Sequence, residues 1–459
     1  MKYLTTDFGS TYTKVTAIDA DKGGVVGTAA AFTTIETDVM KGFRNALQQL
    51  EQHIGTFDYD EWLCCSSAAG GLKMVALGLV PELTAKAART AAASAGAKVV
   101  KSYSFEITKA EQREIFDIDP DIVLLCGGTD GGNKEVITAN AKRLGSIARN
   151  FSIIAAGNKS ASDELEAILS ASGKNFVITD NVMPEFNKLN IEPARKRITE
   201  LFISHIIEAK GLSAVQAMTP HEIIPTPLAV MRGCELLSKG TRVTEGIGDL
   251  TAIDIGGATT DVYSLSEGRP SIDNVLVKGI PEPYAKRSVE GDLGMRYSLT
   301  SLAEAAEIES IALETGLSVG QITRWVETCH RNPALLAAPG SREQVMEEAL
   351  ARSAVRIAME RHCGHYASAY TPVGEMFTLV GKDLSEVPYV IGIGGVVINS
   401  PNYRYILEGA VANPADFTHA KPKHPTCLLD KRYIFASMGL LCSADKELAL
   451  QILKKEITS

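Results

Sequence analysis

Apolar positions along this chain follow two periods in turn, one of two residues and one of three to four. Residues 3–6, 13–18 and 24–31 read as three strands, separated by turns at 9–10 and 20–23. Asp38 then opens a helix whose apolar stripe is Val39, Phe43, Ala46, Leu47, Leu50 and Ile54, with Gly55 as its stop. Residues 62–65 read as a further buried strand. From there, apolar runs at 74–80, 98–105, 122–126, 151–155 and 176–179 alternate with helical stretches such as 84–95. That alternation predicts a parallel α/β layer. A helix is expected over 192–209, with Pro193 in its first turn and Gly211 beyond its end. Thr226 and Pro227 start another over 228–237. A polar loop at 241–249 leads into strands at 252–255 and 262–265. Beyond them, 301–313 and 342–365 read as helical and 377–380 and 389–393 as strands. Helices over 432–441 and 444–457 close the chain, the first with small Ala436 and Gly439 facing a neighbour.

Two of the turns carry the chemistry. DFGSTYTK at 7–14 aligns without a gap with DIGGATTD at 254–261. Asp7 thereby pairs with Asp254, Gly9 with Gly256, Ser10 with Gly257 and Thr13 with Thr260. Glycines let a backbone approach another group closely. Glycine amides and the hydroxyls of Ser10, Thr11, Thr13, Thr259 and Thr260 can donate to phosphate oxygens, and a carboxylate can hold Mg²⁺ directly or through water. A second glycine cluster, residues 127–132, follows a strand but has neither GxGxxG form nor a Walker lysine, and reads as a structural or inter-subunit turn.

The paired turns resemble the phosphate-1 and phosphate-2 loops of the actin, sugar kinase and Hsp70 ATPase superfamily. YVIGIGGVVI at 389–398 resembles that superfamily's adenosine motif, and the order of the three pieces agrees. Over almost the whole chain the sequence resembles the MutL-type accessory proteins of adenosylcobalamin-dependent glutamate (methylaspartate) mutase, which are unrelated to the mismatch-repair protein of similar name. The residues that carry this are 6–14, SSAAGGLKMV at 66–75, 254–261 and VEGDLG at 289–294. The resemblance implies an α/β protein of actin-like ATPase fold, with two ribonuclease-H-like domains around a nucleotide cleft. On that pattern, residues 1–240 plus 430–459 form the first domain, with an inserted α/β subdomain at 66–185, and 241–429 form the second.

Composition narrows the class. The 459 residues include 45% hydrophobic and 22% charged, ordinary for a soluble globular protein, and the length allows two or three domains. A net charge of −9 and the lack of a basic run argue against a nucleic-acid partner. No apolar run approaches the roughly 18 residues that span a bilayer, and Asp7 interrupts the only early apolar stretch, so no membrane or signal segment is expected. The eight cysteines contain no CxxC pair and are expected to be buried, reduced thiols in a cytoplasmic protein. His362 and His365 share a helix face in this reading but have no second cluster, so a structural role is favoured over metal binding.

The expected ligands are therefore ATP/ADP and Mg²⁺. Gly9, Ser10, Thr11, Thr13, Gly256, Gly257, Thr259 and Thr260 are assigned to the phosphates, and Asp7 and Asp254 to Mg²⁺ and the catalytic centre. Lys14 reaches a phosphate or stands on the strand surface, and Asp261 orients water or only the loop. Gly394 and Gly395 make room for adenosine, and Gly291 is placed near its side by analogy with Hsp70-like proteins. With no general base evident, slow hydrolysis that times a switch is expected. The resemblance supplies the purpose: an ATP-driven, chaperone-like factor that opens a mutase so that damaged cobalamin leaves. It names mutase subunits as partners and leaves homo-oligomers open. A DxHxxG cobalamin signature is absent. Three other readings stand beside it: a small-molecule kinase, a hydantoinase or acetone carboxylase-like ATP-dependent subunit, and a scaffold that only binds nucleotide.

Overall fold

Two sheets built to one plan hold the paired turns. The computed structural model describes residues 1–34, 38–67, 73–95, 97–209, 212–371 and 374–457. Residues 68–72 of the segment 66–75 and the predicted helix stop Gly211 lie outside them. The chain divides into two units, Met1–Cys65 with Ala229–Lys278 and Glu282–Ser459, and Ser66–Leu228 with Gly279–Pro281.

In the first unit, β1 (Lys2–Phe8), β2 (Tyr12–Asp19) and β3 (Gly24–Phe32) form an antiparallel meander. The helix α1 (Val39–Ile54) follows, and β4 (Glu61–Ser66) joins the sheet beside β1, giving the order β4-β1-β2-β3. Asp38 caps α1 by accepting from Met40 N at 2.9 Å. Phe43 of α1 packs on Trp62 of β4 with ring centroids 4.7 Å apart, and the Trp62 indole donates to Thr6 Oγ1 at 2.9 Å. These contacts fasten the helix and both central strands beneath the first turn.

The plan repeats after the helix α2 (Thr226–Lys239). Strands β5 (Leu250–Ile255), β6 (Thr260–Leu265) and β7 (Ala285–Glu290) are the antiparallel meander. Two parallel strands, β8 (Tyr389–Ile393) and β9 (Thr426–Leu429), extend the sheet from β5, so its order is β7-β6-β5-β8-β9. A meander extended from its first strand is the ribonuclease-H-like arrangement, and its duplication is the actin-like ATPase fold. The second sheet packs on the helix α3 (Arg342–His362), and Ile253, Ile255 and Val262 of the sheet share one buried core with Ala351, Ala354, Val355 and Ala358 of the helix. Small alanines let the helix lie close to the sheet.

Three elements differ from the sequence expectation. The helix expected over 342–365 stops at His362. A Cβ on Gly364 would stand 2.7 Å from the Lys382 carbonyl, and this close approach turns the chain into a strand, His365–Thr371. That strand pairs with Gly374–Val380, which pairs with Val275–Lys278 in a separate small sheet. The segment 289–294 does not open a helix: β7 runs to Glu290, and the next helix begins at Leu299. Asp292 instead forms a two-pronged pair with Arg361 at 2.9 and 3.0 Å. Finally, the helix expected from 432 begins only at Phe435 (α4, Phe435–Leu441), because Tyr433 adopts a left-handed conformation with φ of 58°.

The second unit is a sheet of parallel strands in the order Lys98–Ser104, Lys73–Gly78, Ile122–Leu125, Ser152–Ala155 and Phe176–Ile178. Its glycine turn at 127–132 is held by buried asparagines. Gly131 N donates to Asn158 Oδ1 at 3.0 Å, Asn158 Nδ2 to Gly132 O at 2.9 Å, and Asn181 Nδ2 to Gly128 O at 3.0 Å.

Candidate functional site

The two aligned turns close in the same way. Gly9 N donates to Tyr12 O at 3.1 Å, and Gly256 N to Thr259 O at 2.9 Å. A Cβ on Gly9 would stand 2.4 Å from Tyr12 O and one on Gly256 3.0 Å from Thr259 O, so glycine is what lets both turns be this tight. The cross-strand pairs also correspond. Asp7 faces Lys14 and Phe8 faces Thr13 across the first turn. Asp254 faces Asp261 and Ile255 faces Thr260 across the second.

That register sorts the predicted residues onto two faces. Thr13 and Thr260 lie on the core face. Thr13 Oγ1 bonds Thr33 Oγ1 at 3.1 Å, and Thr260 Oγ1 donates to Leu293 O at 2.7 Å. Their hydroxyls brace the turns from below. Asp7, Lys14, Asp254 and Asp261 lie on the other face. Thr259 Oγ1 donates to Asp261 Oδ2 at 3.0 Å, and Arg287 binds Asp261 Oδ1 through Nε at 2.8 Å. Asp261 thus anchors its own loop, with a buried arginine from β7 as counter-charge.

The turns themselves meet. A Cβ built on Gly257 would stand 3.1 Å from Thr11 Oγ1. Ser10 is half-buried beside them. The second turn is also clamped from behind. Met295 N donates to Gly256 O at 3.0 Å, and Arg296 N and Tyr297 N both donate to Gly257 O at 2.8 Å. Ser298 Oγ donates to Ala258 O at 2.9 Å and to Gly291 O at 2.7 Å, which places Gly291 in this clamp. Gly394 ends β8 beside β5. With φ of 109°, a Cβ there would stand 2.3 Å from Ile255 O, so the space it leaves is taken by the strand carrying Asp254. Gly395 is exposed and open.

Charge gathers on the polar face. Lys14 Nζ lies 3.4 Å from Asp7 Oδ2, and Cys65 Sγ donates to Asp7 Oδ1 at 3.5 Å. Burial pushes Asp254 up to about 7; Lys14 opposes this, while Asp261, Asp7 and Asp430 add to it. Asp430, which follows β9, is pushed up to about 6 by burial, against the pull of the Ile434 and Phe435 amides that it caps at 2.9 and 3.0 Å. Lys14 is raised from the ordinary lysine value: burial opposes the shift, and Tyr433, Asp7 and Asp254 produce it. Asp430, Tyr433, Arg287 and the clamp at 295–298 were not found from sequence. Asp430 and Tyr433 stand in a stretch that reads as an ordinary helix start, and nothing local marks them.

Two polar atoms of this face, Asp254 Oδ1 and Thr11 Oγ1, are buried without a hydrogen-bond partner among the described residues. Each such orphan costs about 1–3 kcal/mol. A carboxylate oxygen and a hydroxyl, both oxygen donors beside glycine turns, fit a hard cation with phosphate, so the face suits a magnesium nucleotide. No cluster of three or more His, Cys, Asp or Glu arranged to hold a metal alone occurs among the described residues.

A family model described as MutL protein matches residues 3–457. Protein MutL of Clostridium tetanomorphum is 46% identical over 458 residues, covering 99% of this chain and 98% of its own length. Among solved structures, xylulose kinase from Bifidobacterium adolescentis aligns over 97% of this chain and 94% of its own, with 11% identity and a TM-score of 0.34. Gluconate kinase from Lactobacillus acidophilus aligns over 100% and 92%, with 10% identity and a TM-score of 0.34. No described helix is long and apolar enough to cross a membrane.

Proposed function

The chain belongs to the MutL family, and from that premise we propose that it is an ATP-dependent reactivating factor for an adenosylcobalamin-dependent mutase, with glutamate mutase as client. The observation that supports this reading is the meeting of the two turns at Thr11 and Gly257 beside the unpartnered Asp254 Oδ1. Each turn ends a different sheet, so a triphosphate gripped by both ties the sheets together. Ser10, Thr11 and the Gly257 turn hold the phosphates, and Lys14 offsets their charge. Asp7 and Asp254 hold Mg²⁺ largely through water. Mg²⁺ supplies neutralisation of the phosphate charge. Loss of the terminal phosphate removes part of the tie, so ATP and ADP select different sheet arrangements and different affinities for a client. All eight cysteines are free thiols, which fits the reducing cytoplasm where we place the reaction.

The test uses glutamate mutase inactivated with hydroxocobalamin in its site. Turnover should return only when this protein, ATP, Mg²⁺ and fresh adenosylcobalamin are present together. A non-hydrolysable ATP analogue should support at most one round. Transfer of labelled γ-phosphate to a metabolite, with no recovery of mutase turnover, would replace this reading with that of a small-molecule kinase.

A further inference from the structure

Lys14 has an unusual neighbour. Its Nζ stands 3.3 Å from the centroid of the Tyr433 ring as well as 3.4 Å from Asp7 Oδ2. Tyr433 is held there against its backbone preference, since a bulky side chain at φ of 58° is strained. The strain is overdetermined from Asp430. This fully buried carboxylate caps the Ile434 and Phe435 amides, and its carbonyl accepts from Tyr433 N at 3.1 Å. The turn that presents the ring is therefore fixed at both ends.

A consequence concerns Asp254. Lys14 carries a flexible cation on the face that holds Asp7 and Asp254, and an ammonium gains more from a carboxylate than from a ring. Without the ring, the ammonium beside Asp7 would be free to reach Asp254 Oδ1 as well. Instead Oδ1 is buried and without a hydrogen-bond partner among the described residues. We propose that Tyr433 is a positioning residue: its ring seats the Lys14 ammonium away from Asp254 and so keeps that carboxylate open to a magnesium nucleotide. This rests on the nucleotide-site reading above. The strained turn is what puts the ring face under the ammonium rather than beside it.

The test compares Tyr433→Asn with Tyr433→Phe in the full chain. Asparagine accepts the left-handed backbone and removes the ring, whereas phenylalanine keeps it. With carbon-13 at lysine Cε, the Lys14 signal, assigned by its loss in Lys14→Met, should be shifted upfield by the ring in nucleotide-free protein. Tyr433→Phe should keep that shift and Tyr433→Asn should abolish it. Calorimetry should then find Mg²⁺–ATP affinity roughly three- to tenfold weaker in Tyr433→Asn and near the parent value in Tyr433→Phe. In a Lys14→Met background, Tyr433→Asn should cause no further loss, because the ring acts through the lysine. An unmoved lysine signal, or an equal loss in both backgrounds, overturns the inference. Failure of the parent chain to bind Mg²⁺–ATP while the ring shift is present overturns the nucleotide reading instead.

Discussion

Thr11 Oγ1 and Gly257 touch across the two turns, at 3.1 Å from where a Gly257 Cβ would stand. The neighbour is the end of a side chain and not backbone, so an added methyl can be accommodated by rotating Thr11. Gly257→Ala should therefore fold with little change in Tm. It should nevertheless turn the Thr11 hydroxyl away from the phosphates and weaken ATP and ADP binding by about tenfold, the value of one good hydrogen bond. Calorimetric titration of both nucleotides checks this. Parent-like affinity would mean that the junction of the turns does not touch nucleotide.

Asp254 costs the nucleotide-free fold stability. Its Oδ1 is buried without a hydrogen-bond partner among the described residues, and burial disfavours its charge. Asp254→Ala should abolish Mg²⁺-dependent ATP hydrolysis and, in the nucleotide-free protein, leave Tm equal to or above that of the parent. Added Mg²⁺–ATP should raise the parent's Tm and leave the variant's unmoved. A large fall in the variant's Tm would make Asp254 a structural carboxylate.

The paired turns were legible because two short segments 247 residues apart repeat Asp, Gly and Thr at the same offsets. Such local chemistry survives reading one residue at a time. The sequence pattern assigns Thr13 and Thr260 to the phosphates, but both hydroxyls are engaged on the core face, by Thr33 and by the Leu293 carbonyl, and only the opposite strand marks that face. Thr13 lies across from Phe8 and Thr260 across from Ile255, and apolar partners announce a core face. The role of Gly394 was less accessible. Its lack of a side chain reads as room for a ligand, whereas the room is filled by the Ile255 carbonyl of a strand that joins it only through sheet pairing. Tyr433 was out of reach. Its place over Lys14 follows from a buried cap at Asp430, and no spacing in the sequence encodes a left-handed aromatic residue.

His362 gives the fold an acid limit. It is fully buried, with Nε2 bonded to Ser264 Oγ and Nδ1 to Ser288 Oγ, each at 2.8 Å. Burial lowers it well below the ordinary histidine value, helped by the ammoniums of Lys286 and Lys382, of which Lys286 also faces Glu282 at 3.6 Å. The unfolded chain takes up this proton as pH falls through about 6.5, and the folded site does not. Stability is thus complete above that pH and lost below it, at no more than about 1.4 kcal/mol per pH unit from this group. His362→Gln, which can still donate and accept, should flatten the dependence between about pH 6.5 and 5. Urea midpoints across that range would settle it, and an unchanged slope would exclude His362 as the source.

The helices α2 and α4 cross through glycine, and that crossing should carry the nucleotide response. A Cβ on Gly439 would stand 1.7 Å from Ala229 O, and one on Gly233 would stand 2.8 Å from Phe435 O. Both obstacles are backbone, so neither can be relieved by a rotamer change. The helix α4 also ties to the first sheet, since Ser437 Oγ bonds Thr16 Oγ1 at 3.0 Å, and it begins just beyond β9 of the second. A change in the angle between the sheets would strain this contact. Gly439→Ala has to push the helices apart and should lower Tm clearly, by an amount set by how far they can separate. Gly233→Ala meets a longer distance and should be the milder change. In that variant nucleotide should still bind, because the turns are distant in sequence and keep their own hydrogen bonds. The difference between the ATP and ADP states in small-angle scattering or hydrogen exchange should shrink, and client reactivation should fall with it. If Gly233→Ala keeps the full difference between the two states, the crossing is passive packing and the switch lies in the turns alone.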